Sequence, residues 1–173
     1  MTNTEIKKIM DATKFRILVD TREKKNNHII EFFKKNGIPY RCEKLDFGDY
    51  SFEIRYNDLI YTYKEKFAVE RKANLTELSG NLTQNRDRFI REFDRAKEKK
   101  AQLILLIENA EYKDIVQMNY STNFKSKAFT ASLFSLFFEY DVPFQFINNQ
   151  YSGEYIYKSC YYFYRNRVKL KSK

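Results

Sequence analysis

Histidine and cysteine are nearly absent from this chain, which holds one His, His28, and two Cys, Cys42 and Cys160, in 173 residues. A zinc site needs four nitrogen or sulfur ligands at clustered spacing, and these residues cannot supply one. Two isolated cysteines fit small core residues in a reducing intracellular compartment. Long apolar runs are missing as well. No stretch approaches the roughly 18 apolar residues of a membrane-spanning helix. Residues 1–14 are polar and lack the apolar centre of a signal peptide, so a cytoplasmic protein without membrane attachment is expected. Glycine is scarce, at four, and no repeat, low-complexity tract or linker interrupts the chain. Tryptophan is absent, so large apolar faces must come from the 16 Phe and 14 Tyr.

What is present is enough for one core. A chain of this length with 43% hydrophobic residues fits a single domain. Its formal net charge is +9, which suggests a polyanionic partner. Charge alone separates nucleic acid from a membrane surface poorly.

The pattern of apolar residues reads as alternating strands and helices. Residues 1–14 form a lead-in, helical or frayed. Phe15–Val19 is a strand with Asp20 at its carboxyl end, where ligand sites of open α/β sheets collect. A helix is expected over 27–36, stopped by Gly37. Residues 39–45 lead into a strand over 49–56, which turns at Asn57-Asp58 and returns over 59–63. Residues 67–70 form a central strand. Helices follow from a cap at Asn74 and over 83–100. The apolar run Leu103–Ile107 reads as a buried parallel strand. Helices over 111–117, 126–140 and 150–165 and a strand over 143–147 complete the chain.

Chemistry is concentrated in two segments of this frame. Gly48-Asp49-Tyr50 is followed by Val69-Glu70-Arg71-Lys72. Side chains alternate along a strand, so Glu70 and Lys72 share one face and Arg71 takes the other. Asp49 can join Glu70 and Lys72 from a neighbouring strand. Two carboxylates hold a hard divalent cation through oxygen. An adjacent ammonium can orient or deprotonate an attacking water.

The longer context is more specific. Val19-Asp20-Thr21-Arg22-Glu23, then Gly48-Asp49-Tyr50, then Val69-Glu70-Arg71-Lys72 resembles the nuclease domain of the XPF-type structure-specific endonucleases. That family belongs to the PD-(D/E)XK, or restriction-endonuclease-like, superfamily. Similarity continues through Arg86-Asp87-Arg88-Phe89, Arg95-Ala96 and Ala131-Ser132-Leu133. The resemblance implies an α/β fold with a central mixed sheet flanked by helices, spanning residues 15–167, with a basic tail over 168–173. It implies a nuclease module standing alone, without helicase or helix-hairpin-helix domains. It further implies a DNA endonuclease of repair or recombination, dependent on Mg²⁺ or Mn²⁺ and acting on branched DNA. A non-catalytic DNA-binding partner of the same fold is the alternative; the intact acids favour the enzyme.

Within that resemblance the catalytic set is Asp20, Asp49, Glu70 and Lys72, with Asp49, Glu70 and Asp20 as metal ligands. Arg22, Glu23 and Arg71 support it: Arg22 by contacting phosphate or pairing with an acid, Arg71 as a strut behind Glu70. Arg86, Arg88, Arg91 and Arg95 can bind DNA phosphates, or form a solvated face through the pairs Arg88–Glu92 and Asp87–Arg91. The family pattern ERKxxxD ends here on Thr76, with Glu77 beside it in the same first helical turn. The helix over 126–140 carries more phenylalanine than one buried face needs, so a homodimer is expected.

Overall fold

The uninterrupted apolar stretches become the inner strands of a seven-stranded mixed sheet. The computed structural model describes residues 2–170. Its strands are β1 (Lys14–Asp20), β2 (Tyr40–Glu43), β3 (Tyr50–Tyr56), β4 (Leu59–Thr62), β5 (Phe67–Lys72), β6 (Gln102–Glu108) and β7 (Phe144–Ile147). They lie in the order β2-β1-β3-β5-β6-β7, with β4 paired to β3 alone. β1 runs parallel to β2 and antiparallel to β3. β5, β6 and β7 are mutually parallel. The β3–β4 hairpin turns on Asn57 and Asp58, both at positive φ, as a tight two-residue hairpin requires.

Among the described residues seven α-helices cover the two faces: α1 (Asn3–Ala12), α2 (Asn27–Lys35), α3 (Leu75–Leu82), α4 (Arg86–Glu98), α5 (Tyr112–Gln117), α6 (Ser126–Tyr140) and α7 (Ser152–Leu170). Alternation along the strands divides the core. Phe67 and Val69 of β5 pack with α1, α2 and α7. Ala68 packs with α3, α4, α5 and α6 on the other side. This is the mixed sheet flanked by helices that the sequence implies.

At the start of the chain the lead-in takes the helical of its two expected forms. Residues 3–12 form a helix with a Thr2–Glu5 capping box. Its Ile6 and Met10 are buried in the core, so the segment belongs to the body of the domain. The last helix runs on to Leu170, taking in residues 168–170 of the expected tail. Residues 171–173 lie outside the described residues. β2 was not expected; it is a short edge strand with exposed residues and no apolar period. Cys42 sits on it and is exposed, against its expected place in the core, whereas Cys160 is buried.

Candidate active site

The end of β5 brings three charged side chains into the sheet. Glu70, Arg71 and Lys72 are 4%, 5% and 7% exposed, so each needs a partner. The alternation of the strand decides which. Glu70 and Lys72 point to the α3–α4 side, and Lys72 Nζ lies 2.7 Å from Glu70 Oε1. It is also 3.9 Å from Glu77 Oε1 and sits 4.8 Å from the centre of the Phe89 ring. Burial works against the ammonium, but the carboxylates of Glu70 and Asp49 outweigh it and hold Lys72 above the ordinary lysine range.

Asp49 reaches the same place from the turn before β3. Its backbone is held on both sides: its N–H donates to Val69 O at 2.9 Å, and its carbonyl accepts from Asp20 N at 2.8 Å. Its carboxylate accepts from Arg71 N at 2.8 Å. Gly48 makes this approach possible. It has φ +68, and a Cβ there would lie 2.7 Å from Ala68 Cβ. Burial first, and the charge of Glu70 second, raise the Asp49 carboxyl well above the usual carboxylate range.

Arg71 goes to the opposite face. Its Nη1 is 3.0 Å from Glu23 Oε1 and its Nη2 is 2.6 Å from Glu108 Oε2. Glu108 also meets His28 Nε2 at 2.9 Å. Burial works against both ions, but Arg71 and its carboxylate partner reinforce each other: Arg71 is raised and Glu108 lowered. Glu108 went unnoticed in the sequence. The signal available was an acid closing the apolar run of β6, which buries it at 1% exposure.

Asp20 stands apart from the other acids. Its carboxylate accepts from Arg22 N at 2.7 Å, Arg22 Nε at 2.7 Å, Arg22 Nη2 at 3.1 Å and Leu45 N at 2.7 Å. Burial raises it, but these bonds prevail and leave it below the ordinary aspartate value. With both oxygens taken by donors, Asp20 does not line the cleft as the other acids do. Of the ways the sequence offered Arg22 to act, pairing with an acid is the one seen here.

These groups surround a cleft of about 260 Å³ whose walls include Arg22, Glu23, Asp49, Glu70, Lys72, Asn81, Arg88 and Glu92. Among the arginines of α4 only Arg88 lines it. Neither Arg88 nor Arg91 forms an ion pair among the described residues, and the pairs Arg88–Glu92 and Asp87–Arg91 are not made. Arg95 donates to Asp46 O at 2.6 Å. Glu92 turns into the cleft, where burial and then the Glu70 charge push its carboxyl up to about 7. Its place was hidden because the helical spacing offered it a surface partner. Thr76 faces elsewhere and accepts from Ser121 N at 3.0 Å, whereas Glu77 accepts from Ala73 N at 2.9 Å beside Lys72.

The donors suit a hard cation in part. Among the described residues no three acids, His or Cys are grouped to hold a metal. Asp49 and Glu70 are nevertheless two adjacent carboxylates, and the charge of Glu70 disfavours that of Asp49. Glu70 Oε2 is buried with no hydrogen-bond partner. An unpartnered carboxylate oxygen beside a second acid fits a divalent ion that keeps several waters.

Residues 19–159 match the ERCC4 domain family model, and the chain belongs to that family. Among solved structures it is similar to XPF from Aeropyrum pernix, with TM-score 0.64 and 16% identity over 91% of this chain and 69% of that one. A second similar structure is XPF from Aeropyrum pernix in complex with DNA, with TM-score 0.60 and 16% identity over 91% of this chain and 66% of that one. At this identity the likeness is one of fold. No curated protein matches the chain.

Proposed function

We propose that this member of the ERCC4 domain family is a metal-dependent endonuclease that hydrolyses phosphodiester bonds in branched DNA. The observation that carries the reading is the convergence of Asp49, Glu70 and Lys72 at one end of the sheet, with Arg22 and Arg88 on the walls of the same cleft. The family, the net charge of +9 and the similarity to a structure solved with DNA support DNA as the ligand.

Asp49 and Glu70 would hold Mg²⁺ or Mn²⁺. When bound, such an ion supplies charge neutralisation on a phosphoryl oxygen and lowers the pKa of an attacking water. The residues around it divide the remaining work. Lys72, held against Glu70, acts as a positive charge for the developing phosphorane oxygens and as an orienting donor to the attacking water. Arg22 is clamped by Asp20 with its Nη1 left without a hydrogen bond, 3.9 Å from Glu92 Oε1, and this nitrogen can bind a phosphate oxygen. Arg71, tied to Glu23 and Glu108, holds the Asp49 carboxylate through its backbone N–H. Asp20 acts through Arg22 as a positioning residue.

A second copy of the chain is the proposed protein partner. α6 leaves Phe138 76% exposed and Phe134 37% exposed, stacked at 6.2 Å between ring centres, next to the edge strand β7. Incubation with labelled flap, fork, junction and linear DNA in Mn²⁺ or chelator tests the enzyme reading. Binding without cutting would assign the chain to the non-catalytic class.

A further inference from the structure

Glu92 has an unusual pair of neighbours. Its Oε1 lies 3.9 Å from Arg22 Nη1 and 3.9 Å from Arg95 Nη2. Both distances exceed a hydrogen bond, and the carboxylate accepts no hydrogen bond among the described residues. Yet its side chain is only 15% exposed. A half-buried carboxylate without hydrogen bonds is poorly stabilised.

The two arginines, by contrast, are fixed. Arg22 is held through Nε and Nη2 by Asp20, and through Nη2 by Leu45 O at 3.0 Å, which leaves Nη1 unused. Arg95 is held through Nε by Asp46 O, which leaves its outer nitrogens unused. Two anchored guanidinium groups from different elements therefore aim free N–H donors at one oxygen. That is the geometry of an anion position, and a tetrahedral phosphate is more strongly acceptor-rich than a carboxylate.

We infer that Glu92 is a stand-in for a DNA backbone phosphate: in the free protein it occupies the position between Arg22, which lines the cleft, and Arg95, which lies outside its walls, and it is displaced when the strand enters the cleft. The inference rests on DNA being the ligand and adds a positioning residue to that site. Glu92 occupies this anion position while the cleft is empty. It also repels DNA that does not bring a phosphate to this position, because a like charge left in place disfavours the complex. Glu70 adds to the negative charge beside Glu92, and Lys72 of the same strand offsets it.

Anisotropy on a flap substrate in chelator reads binding without cutting. Glu92→Gln is expected to bind about three- to tenfold more tightly than the unaltered chain, because one like charge facing the strand is gone. The gap is expected to narrow as salt rises. A second arm uses inorganic phosphate in a thermal-shift assay: the variant's midpoint rises with phosphate, and that of the unaltered chain does not. A purely structural Glu92 gives the opposite result, weaker or equal binding with a lower midpoint, and that overturns the inference. So does a Glu92→Gln that binds as before but no longer cuts in Mn²⁺, since Glu92 would then act in the chemistry. Glu92→Ala, read in the same way, carries the same outcomes if the glutamine variant does not fold. An unaltered chain that binds flap DNA but never cuts it ends the endonuclease reading and leaves this inference intact. If it binds no DNA, the phosphate arm alone decides: a response of Glu92→Gln sustains the anion position, and none removes it.

Discussion

At the level of single residues, each charge at the end of β5 has a separate task, and substitutions can separate them. Glu70→Gln and Lys72→Ala are expected to abolish cleavage while leaving DNA affinity near that of the parent, with Lys72→Ala also lowering the melting temperature because it strips the buried Glu70 of its partner; parental cutting rates in either variant would remove them from the chemistry. Glu108→Ala leaves Arg71, only 4% exposed, with one of its two carboxylates. Breaking a buried pair in this way costs about 3–5 kcal/mol, which urea unfolding should read directly. Glu92 makes a pH prediction. Its carboxyl titrates at about 7 in the folded chain and at an ordinary value of 4.5 unfolded. Between those values the folded state holds a proton that the unfolded state has lost, so stability falls as pH rises. Glu92→Gln is then expected to be more stable than the parent at pH 8 by about 1–3 kcal/mol, with the gap closing toward pH 4.5. Equal stability at pH 8 would mean that Glu92 is not disfavoured in its charged form.

At the level of elements, the site depends on where strands begin and end. β3 and β5 pair in register only at Tyr50 and Val69, at the rim of the cleft. The turn at Gly48 sets that crossing. Gly48→Ala combines positive φ with a 2.7 Å contact to Ala68 Cβ, and is expected to destabilise by about 1–3 kcal/mol and to lower cleavage more than binding. A fully active, equally stable variant would show that the turn can relax. The sheet was legible where apolar runs were long: β1, β3, β5 and β6 all follow from period-two or continuous patterns. β2 was not, because its residues are exposed and its place beside β1 depends on a parallel crossover rather than on local pattern. The same holds in the cleft. Asp49, Glu70 and Lys72 meet because one strand period and one neighbouring turn suffice to place them. Asp20 instead turned to Arg22 and Leu45, and Glu92 and Glu108 entered from elements whose approach is set by tertiary packing.

At the level of the whole molecule, the helices divide into a covered face and an uncovered one. Phe129, Leu133 and Leu136 of α6 fill the core, while Phe134 and Phe138 remain outside. A homodimer through α6 and β7 is expected to give a mass near twice 21.0 kDa by light scattering at micromolar concentration. Phe138→Glu should return it to the monomer; a monomeric parent at all concentrations would leave these rings as surface residues. DNA binding through the unpaired arginines should weaken linearly in log K against log salt, with a slope of about −0.9 for each duplex phosphate neutralised. Reversing Arg88 and Arg91 should flatten that slope, and an unchanged slope would return them to a solvated face. The central claim is tested most directly by cleavage of labelled flap DNA in Mn²⁺. The expected result is cutting by the parent, none in chelator and none by Glu70→Gln. Tight binding of the same DNA by the parent with no cutting in Mn²⁺ or Mg²⁺ would contradict it.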